Sequence, residues 1–277
     1  MNKKILLGSM ALMTGLIAFA ASQKESTTID SMIEPSSVVL TKENSPNYFT
    51  AFENKPKPEH KVNYDSLITS IKDQQKIFHK NYSVANDSVK KEILSEATDF
   101  VYDKLINDVF PAWHGTPWVF GGNVSKPQEN KNSATVNESI DCGHFVTRTL
   151  YDVGFNIERN RLAQLASENI IKNLSDSDEI FRYRNKSIQT VDAQLDNLSE
   201  GLYITGLDCH TGFILNNKND KRFIHSSYYP DQMQVVSEPI IGSNPFAHSR
   251  YRVLGKILDE NMIDNWLTGK KFEVKYK

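Results

Sequence analysis

The hydrophobic positions change their period once along this chain, and that change organises the molecule. Over residues 64–79 the apolar side chains Leu67, Ile68, Ile71 and Phe78 recur at helical spacing. Over residues 88–110, Ile93, Leu94, Ala97, Val101, Leu105 and Val109 do the same, and Pro111 is expected to end that helix. The stretch 115–122 breaks the period with Gly115, Pro117, Gly121 and Gly122, and the polar stretch 123–139 reads as a loop. Helical spacing then returns at Phe145, Val146, Leu150 and Val153. Asp141 is a suitable N-cap for that helix and Gly154 a suitable stop, which places Cys142 in its first turn. Residues 159–173 also read as helical, whereas 175–198 carry no clear period and are assigned no element. From Gly201 the chain turns to short runs rich in β-branched and aromatic residues, at 202–204, 210–215, 222–226, 233–236 and 251–257. Helices first and an antiparallel meander afterwards is the α+β layer pattern.

The amino terminus belongs to neither part. Lys3 and Lys4 precede an uncharged, mostly apolar run over residues 5–21 that includes Ala18-Phe19-Ala20. This is the pattern of a secretory signal peptide, so residues 1–21 are expected to be removed on export to the periplasm or the exterior. No Cys follows the run, so no lipid anchor is expected, and no later segment approaches the length of a membrane span. Residues 22–62 are polar, carry Pro35, Pro46, Pro56 and Pro58, and read as a linker. The folded part then divides into an N-terminal helical region, 63–110, and a domain over 111–277.

With 277 residues, 39% of them hydrophobic, the chain can bury one substantial core, and it is expected to act as a monomer. The net charge of -2, with Lys and Arg scattered among Asp and Glu, excludes the basic footprint of a nucleic-acid partner. Two cysteines, Cys142 and Cys209, are too few for a disulfide framework in an exported protein. At least one of the thiols is therefore a candidate for chemistry.

Cys142 is the stronger candidate, because a thiol in the first turn of a helix meets unpaired N–H groups and the positive end of the helix dipole. Its ionisation is expected to be eased there, and the same N–H groups could stabilise an oxyanion. Such a nucleophile needs a base, usually a His oriented by a further polar group. His210 opens the run His210-Thr211-Gly212-Phe213-Ile214-Leu215, and Gly212 would leave space beside it. His225 lies in the neighbouring run Phe223-Ile224-His225-Ser226-Ser227, joined by the turn at 216–220, so the two histidines are expected to meet across a hairpin.

Four segments in this order resemble the NlpC/P60 family of papain-like cell-wall peptidases. They are Gly115-Thr116-Pro117-Trp118-Val119-Phe120-Gly121-Gly122, Asp141-Cys142-Gly143-His144, His210-Thr211-Gly212-Phe213 and Ile224-His225-Ser226-Ser227. The resemblance covers roughly residues 97–257. It implies a papain-like α+β fold and hydrolysis of amide bonds in peptidoglycan stem peptides through an acyl-enzyme, with no cofactor and no metal. By this resemblance Cys142 is the nucleophile, His210 the base and His225 the orienting residue, with Trp118, Asp141, Gly143 and Ser226 around them. Three positions depart from the family pattern. Trp118 replaces a Tyr, and Gly143-His144 replaces Ser-Gly; His144 is expected at the rim or surface. Three other readings stay open: a Cys142–Cys209 disulfide in an inactive binding domain, a metal site from Cys142, Cys209, His210 and His225, and an acyltransferase or transpeptidase using the same acyl-enzyme.

Overall fold

The computed structural model describes residues 63–129 and 134–275. The expected signal peptide, residues 1–21, and the expected linker, residues 22–62, lie outside the described residues. Among the described residues no helix is long and apolar enough to cross a membrane.

Two long helices open the fold, α1 at Tyr64–Val84 and α2 at Asp87–Asp103. Asn63 and Asn86 cap them, each side-chain oxygen accepting from backbone N–H groups of the first turn. Pro111 does not end the second helix. The chain passes through a π-helical turn, Lys104–Val109, into a short helix α3, Phe110–Trp113, in which Pro111 stands at the beginning. The wider π turn ends with the Phe110 N–H bonded to the Leu105 carbonyl, so Pro111 enters as a first-turn residue whose missing N–H leaves no bond unmade. Helix α4 spans Cys142–Asp152, and Gly154, at φ +105°, turns the chain away after it.

Residues 159–173 form two short helices rather than one, α5 at Arg159–Ala163 and α6 at Ser167–Leu174. The break lets α6 lie on the sheet at two glycines, Gly206 against the Ser167 side chain and Gly255 against Ile171. The unassigned stretch supplies β1 at Ile180–Arg184 and α7 at Ile188–Leu195. Strands β2 (Gly201–Leu207), β3 (Thr211–Asn217), β4 (Asp220–Ser226) and β5 (Val235–Pro239) follow as a meander. A short helix α8, Pro245–His248, leads into β6, Tyr251–Lys256, and the chain closes with α9, Glu260–Thr268.

The six strands form one sheet in the order β1-β6-β2-β3-β4-β5, every neighbouring pair antiparallel. The fold is therefore α+β. Side chains alternate along the strands between two cores: Phe213, Leu215 and Ile224 join the larger, helix-covered core, while Ile214 and Phe223 join the smaller one on the opposite face. The aromatic rings of Phe110, Trp113, Phe145 and Phe213 meet where α3 and α4 cover β3. Tyr64 accepts from Trp113 Nε1–H at 2.7 Å and donates to Asp152 at 2.8 Å, which ties α1 to α3 and α4.

Candidate active site

Helix α4 begins where three pieces of chain converge. Its N-cap, Asp141, accepts from the His144 N–H at 2.9 Å through Oδ1 and from the Gly121 N–H at 3.2 Å through Oδ2. The segment at 115–122 bridges this start and the chain at 233–235. Gly122 accepts from the Asp141 N–H and Pro117 from the Ile140 N–H, while Gly115 and Trp118 donate to carbonyls of Val235 and Met233. Ser226 donates to the Ile140 carbonyl at 2.7 Å, so the end of β4 also holds the backbone that precedes the thiol. Gly122 packs directly on Ser139, where a Cβ would come within 2.5 Å of the hydroxyl.

Gly143 has a steric reason. A Cβ at this position would lie 2.4 Å from the Ala163 carbonyl oxygen, because α5 closes onto the first turn of α4. His144 is not at the surface: it is 8% exposed, and its Nδ1 lies 2.9 Å from Asp141 Oδ1. The small Gly143 draws α5 inward, and the N-cap carboxylate gives the buried imidazole a partner.

On the sheet side, His210 stands just before β3, 4% exposed, and His225 lies within β4, fully buried. His210 Nε2 and His225 Nδ1 are 2.8 Å apart. Gly212 does not leave open space beside His210. A Cβ there would meet His225 Cβ and Phe223 Cε2 at 2.7 Å, so the missing side chain is replaced by the His225 and Phe223 side chains. Those two rings stack at 3.9 Å between centroids. The turn carrying His210 is fixed by Asp208, which accepts from the N–H groups of Arg250 and Tyr251 at 2.7 and 3.1 Å.

Sequence reading leaves out Glu238, on β5, whose Oε1 lies 2.8 Å from His225 Nε2. No local signal marks it, because its place beside His225 depends on the pairing of β4 with β5. The hydrogen bonds His210–His225–Glu238 thus run from the residue before β3 through β4 to β5.

Cys142 and His210 approach one another through shared neighbours. The Thr211 N–H, next in chain to His210, favours the Cys142 thiolate, as do the N–H groups of Gly143 and Cys142 itself. The Tyr228 ring stands 5.0 Å from the His210 ring and 6.1 Å from Trp118. No hydrogen bond joins Cys142 Sγ to His210 in this conformation. Both cysteines are free, and Cys209 is exposed with its Sγ 3.8 Å from the Tyr228 hydroxyl, so the disulfide reading is set aside. Among the described residues no three His, Cys, Asp or Glu side chains are grouped as ligands for a metal.

The eased ionisation expected of Cys142 is overturned. Burial, and after it the Asp141 carboxylate, push the thiol up to about 11 against the opposing N–H groups. Burial also drives His210 well below the usual imidazole range, with His225 adding to the effect, and it lowers His225 to about 3. Both shifts oppose a preformed thiolate–imidazolium pair. Alkylation of Cys142 by iodoacetamide is accordingly expected to accelerate about tenfold per pH unit from neutrality to about pH 10, since only thiolate reacts. A rate already at its plateau at pH 7 would show a preformed ion pair instead.

A groove of about 480 Å³ flanks this start, lined in part by Gly121, Asn123, Val124 and Val136. Phe120 stands beside it, 83% exposed. Comparisons with family models, with curated proteins and with solved structures give no match.

Proposed function

We propose that this chain is an exported, papain-like cysteine hydrolase that cleaves amide bonds in bacterial cell-wall peptides. The observation that carries the reading is the buried His210–His225 hydrogen bond of 2.8 Å, with His210 next in chain to Thr211, whose N–H meets the sulfur of the helix-start Cys142. His225 engages Nε2 of His210 and leaves Nδ1 as the nitrogen available to the thiol.

In the reaction, Cys142 Sγ bonds to the amide carbonyl carbon as its proton passes to His210 Nδ1. The carbonyl oxygen becomes an oxyanion, which the N–H groups at the helix start stabilise. The C–N bond then breaks, and the departing amine takes the proton from His210. Water attacks the thioester, giving one proton to His210 and its hydroxyl to the acyl carbon, and the sulfur leaves to recover that proton as the thiol. A neutral thiol and a neutral imidazole suit this cycle, because proton transfer within the pair creates the nucleophile only when substrate is present. The groove beside Phe120 runs from the residue bonded to Asp141, which suits an extended peptide entering next to Cys142.

The test is digestion of muropeptides of defined stem composition with the full exported chain, read by mass. Fragments differing by one water across a stem-peptide amide support the reading. Intact muropeptides, or products carrying a new acyl acceptor in place of water, would turn it toward another function or toward transfer.

A further inference from the structure

We infer that Glu238 is a positioning residue that fixes the tautomers of both buried histidines and so leaves the free lone pair of the relay on His210 Nδ1. This rests on the reading of His210 as the base.

The inference follows from donor and acceptor counts along one line of atoms. An ionised carboxylate only accepts, so the 2.8 Å contact between Glu238 Oε1 and His225 Nε2 requires the proton on His225 Nε2. A neutral imidazole then has Nδ1 as an acceptor, and the 2.8 Å contact with His210 Nε2 requires the proton on His210 Nε2. His210 Nδ1 is left unprotonated, as a general base must be. The other Glu238 oxygen accepts from Gln232 Nε2–H at 3.0 Å, which holds the carboxylate in place. His225 cannot take a second proton cheaply in this setting, since its side chain is fully buried between Phe223 and Gly212.

The relay reverses if Glu238 is protonated. Its O–H then donates to His225 Nε2, His225 Nδ1–H donates to His210 Nε2, and the His210 proton moves to Nδ1. Burial raises Glu238 above the usual carboxylate range and Asp231 adds to this, while Gln232 and Arg222 oppose it; Tyr229 and His225 also face it. A raised carboxylate is protonated as pH falls through a higher value than usual, so the relay is expected to reverse on mild acidification.

The experiment uses the full exported chain labelled at the histidine ring nitrogens, with long-range nitrogen–proton NMR from about pH 8 down to about pH 4. At neutral pH both rings are expected in the Nε2–H form. On acidification the protons of both rings shift to Nδ1 before either ring charges. Glu238→Gln should remove that acid-driven switch, because an amide does not titrate, and Glu238→Leu should mix the tautomers and lower kcat about tenfold to a hundredfold with KM within about twofold. His210 carrying its proton on Nδ1 at neutral pH in the native chain would overturn the inference, as would a Glu238→Leu variant with native tautomers and native kcat. The spectrum reads the relay without any substrate, so it judges Glu238 even if the chain cleaves no cell-wall peptide.

Discussion

Cys142→Ala is expected to lower peptide release from purified cell wall by on the order of ten-thousand-fold or more, leaving the fold unchanged. The substitution removes the sulfur proposed to form the acyl-enzyme and leaves His210, His225 and Glu238 in place. Residual turnover then has only orientation and the helix-start N–H groups behind it. Stability should move by less than about 1 kcal/mol. The residue is half-buried, and Asp141, not the thiol, caps the helix. Ala is also the best helix former for the vacated first-turn position. Thermal denaturation of the variant beside the native chain separates loss of chemistry from loss of structure. Full activity with an unchanged melting temperature would exclude the covalent mechanism.

The parts of the molecule legible in the sequence are those whose cause is local. Asp141 before Cys142, and Gly154 after Val153, announce a helix start and stop by side-chain and backbone chemistry within a few residues. Runs such as Phe213-Ile214-Leu215 read as strands because adjacent side chains serve two different cores. Strand β1 was not legible, since Ile180 to Arg184 carry charges on an edge and only the pairing with β6 makes them a strand. The passage through Pro111 depended on a π turn whose bonds reach one residue further than the usual spacing. Neither has a local signature.

The candidate site divides the same way. Cys142, His210 and His225 could be named from their own segments, but Glu238 acts from a third strand, and its contact with His225 is diagonal across the sheet. The raised Cys142 thiol is illegible for a related reason. The N–H groups at a helix start are visible in sequence, while the burial of the sulfur is a property of α4 lying against the sheet beside Thr211. Gly143 likewise makes sense only once the Ala163 carbonyl is seen against it.

Gly212→Ala is the second large effect, and it probes the sheet rather than the nucleophile. A methyl at this position would sit 2.7 Å from His225 Cβ and from Phe223 Cε2, and 2.8 Å from the Ile224 carbonyl oxygen. The carbonyl belongs to the strand paired with β3 and cannot turn aside, so relief must come from the two rings. Those rings stack at 3.9 Å, and His225 is held at both nitrogens. Moving the imidazole by a few tenths of an ångström stretches two hydrogen bonds at once, and His210 loses the partner that orients it. Overpacking of this kind costs about 1–3 kcal/mol of stability, and the loosened base should cost about a hundredfold in kcat with little change in KM. The native alkylation rate of Cys142 with His210 still present would be a poor guide here, so kcat and the melting temperature are the quantities to measure. An alanine variant with native values of both would mean that the His225–Phe223 stack has slack that the structure does not give it.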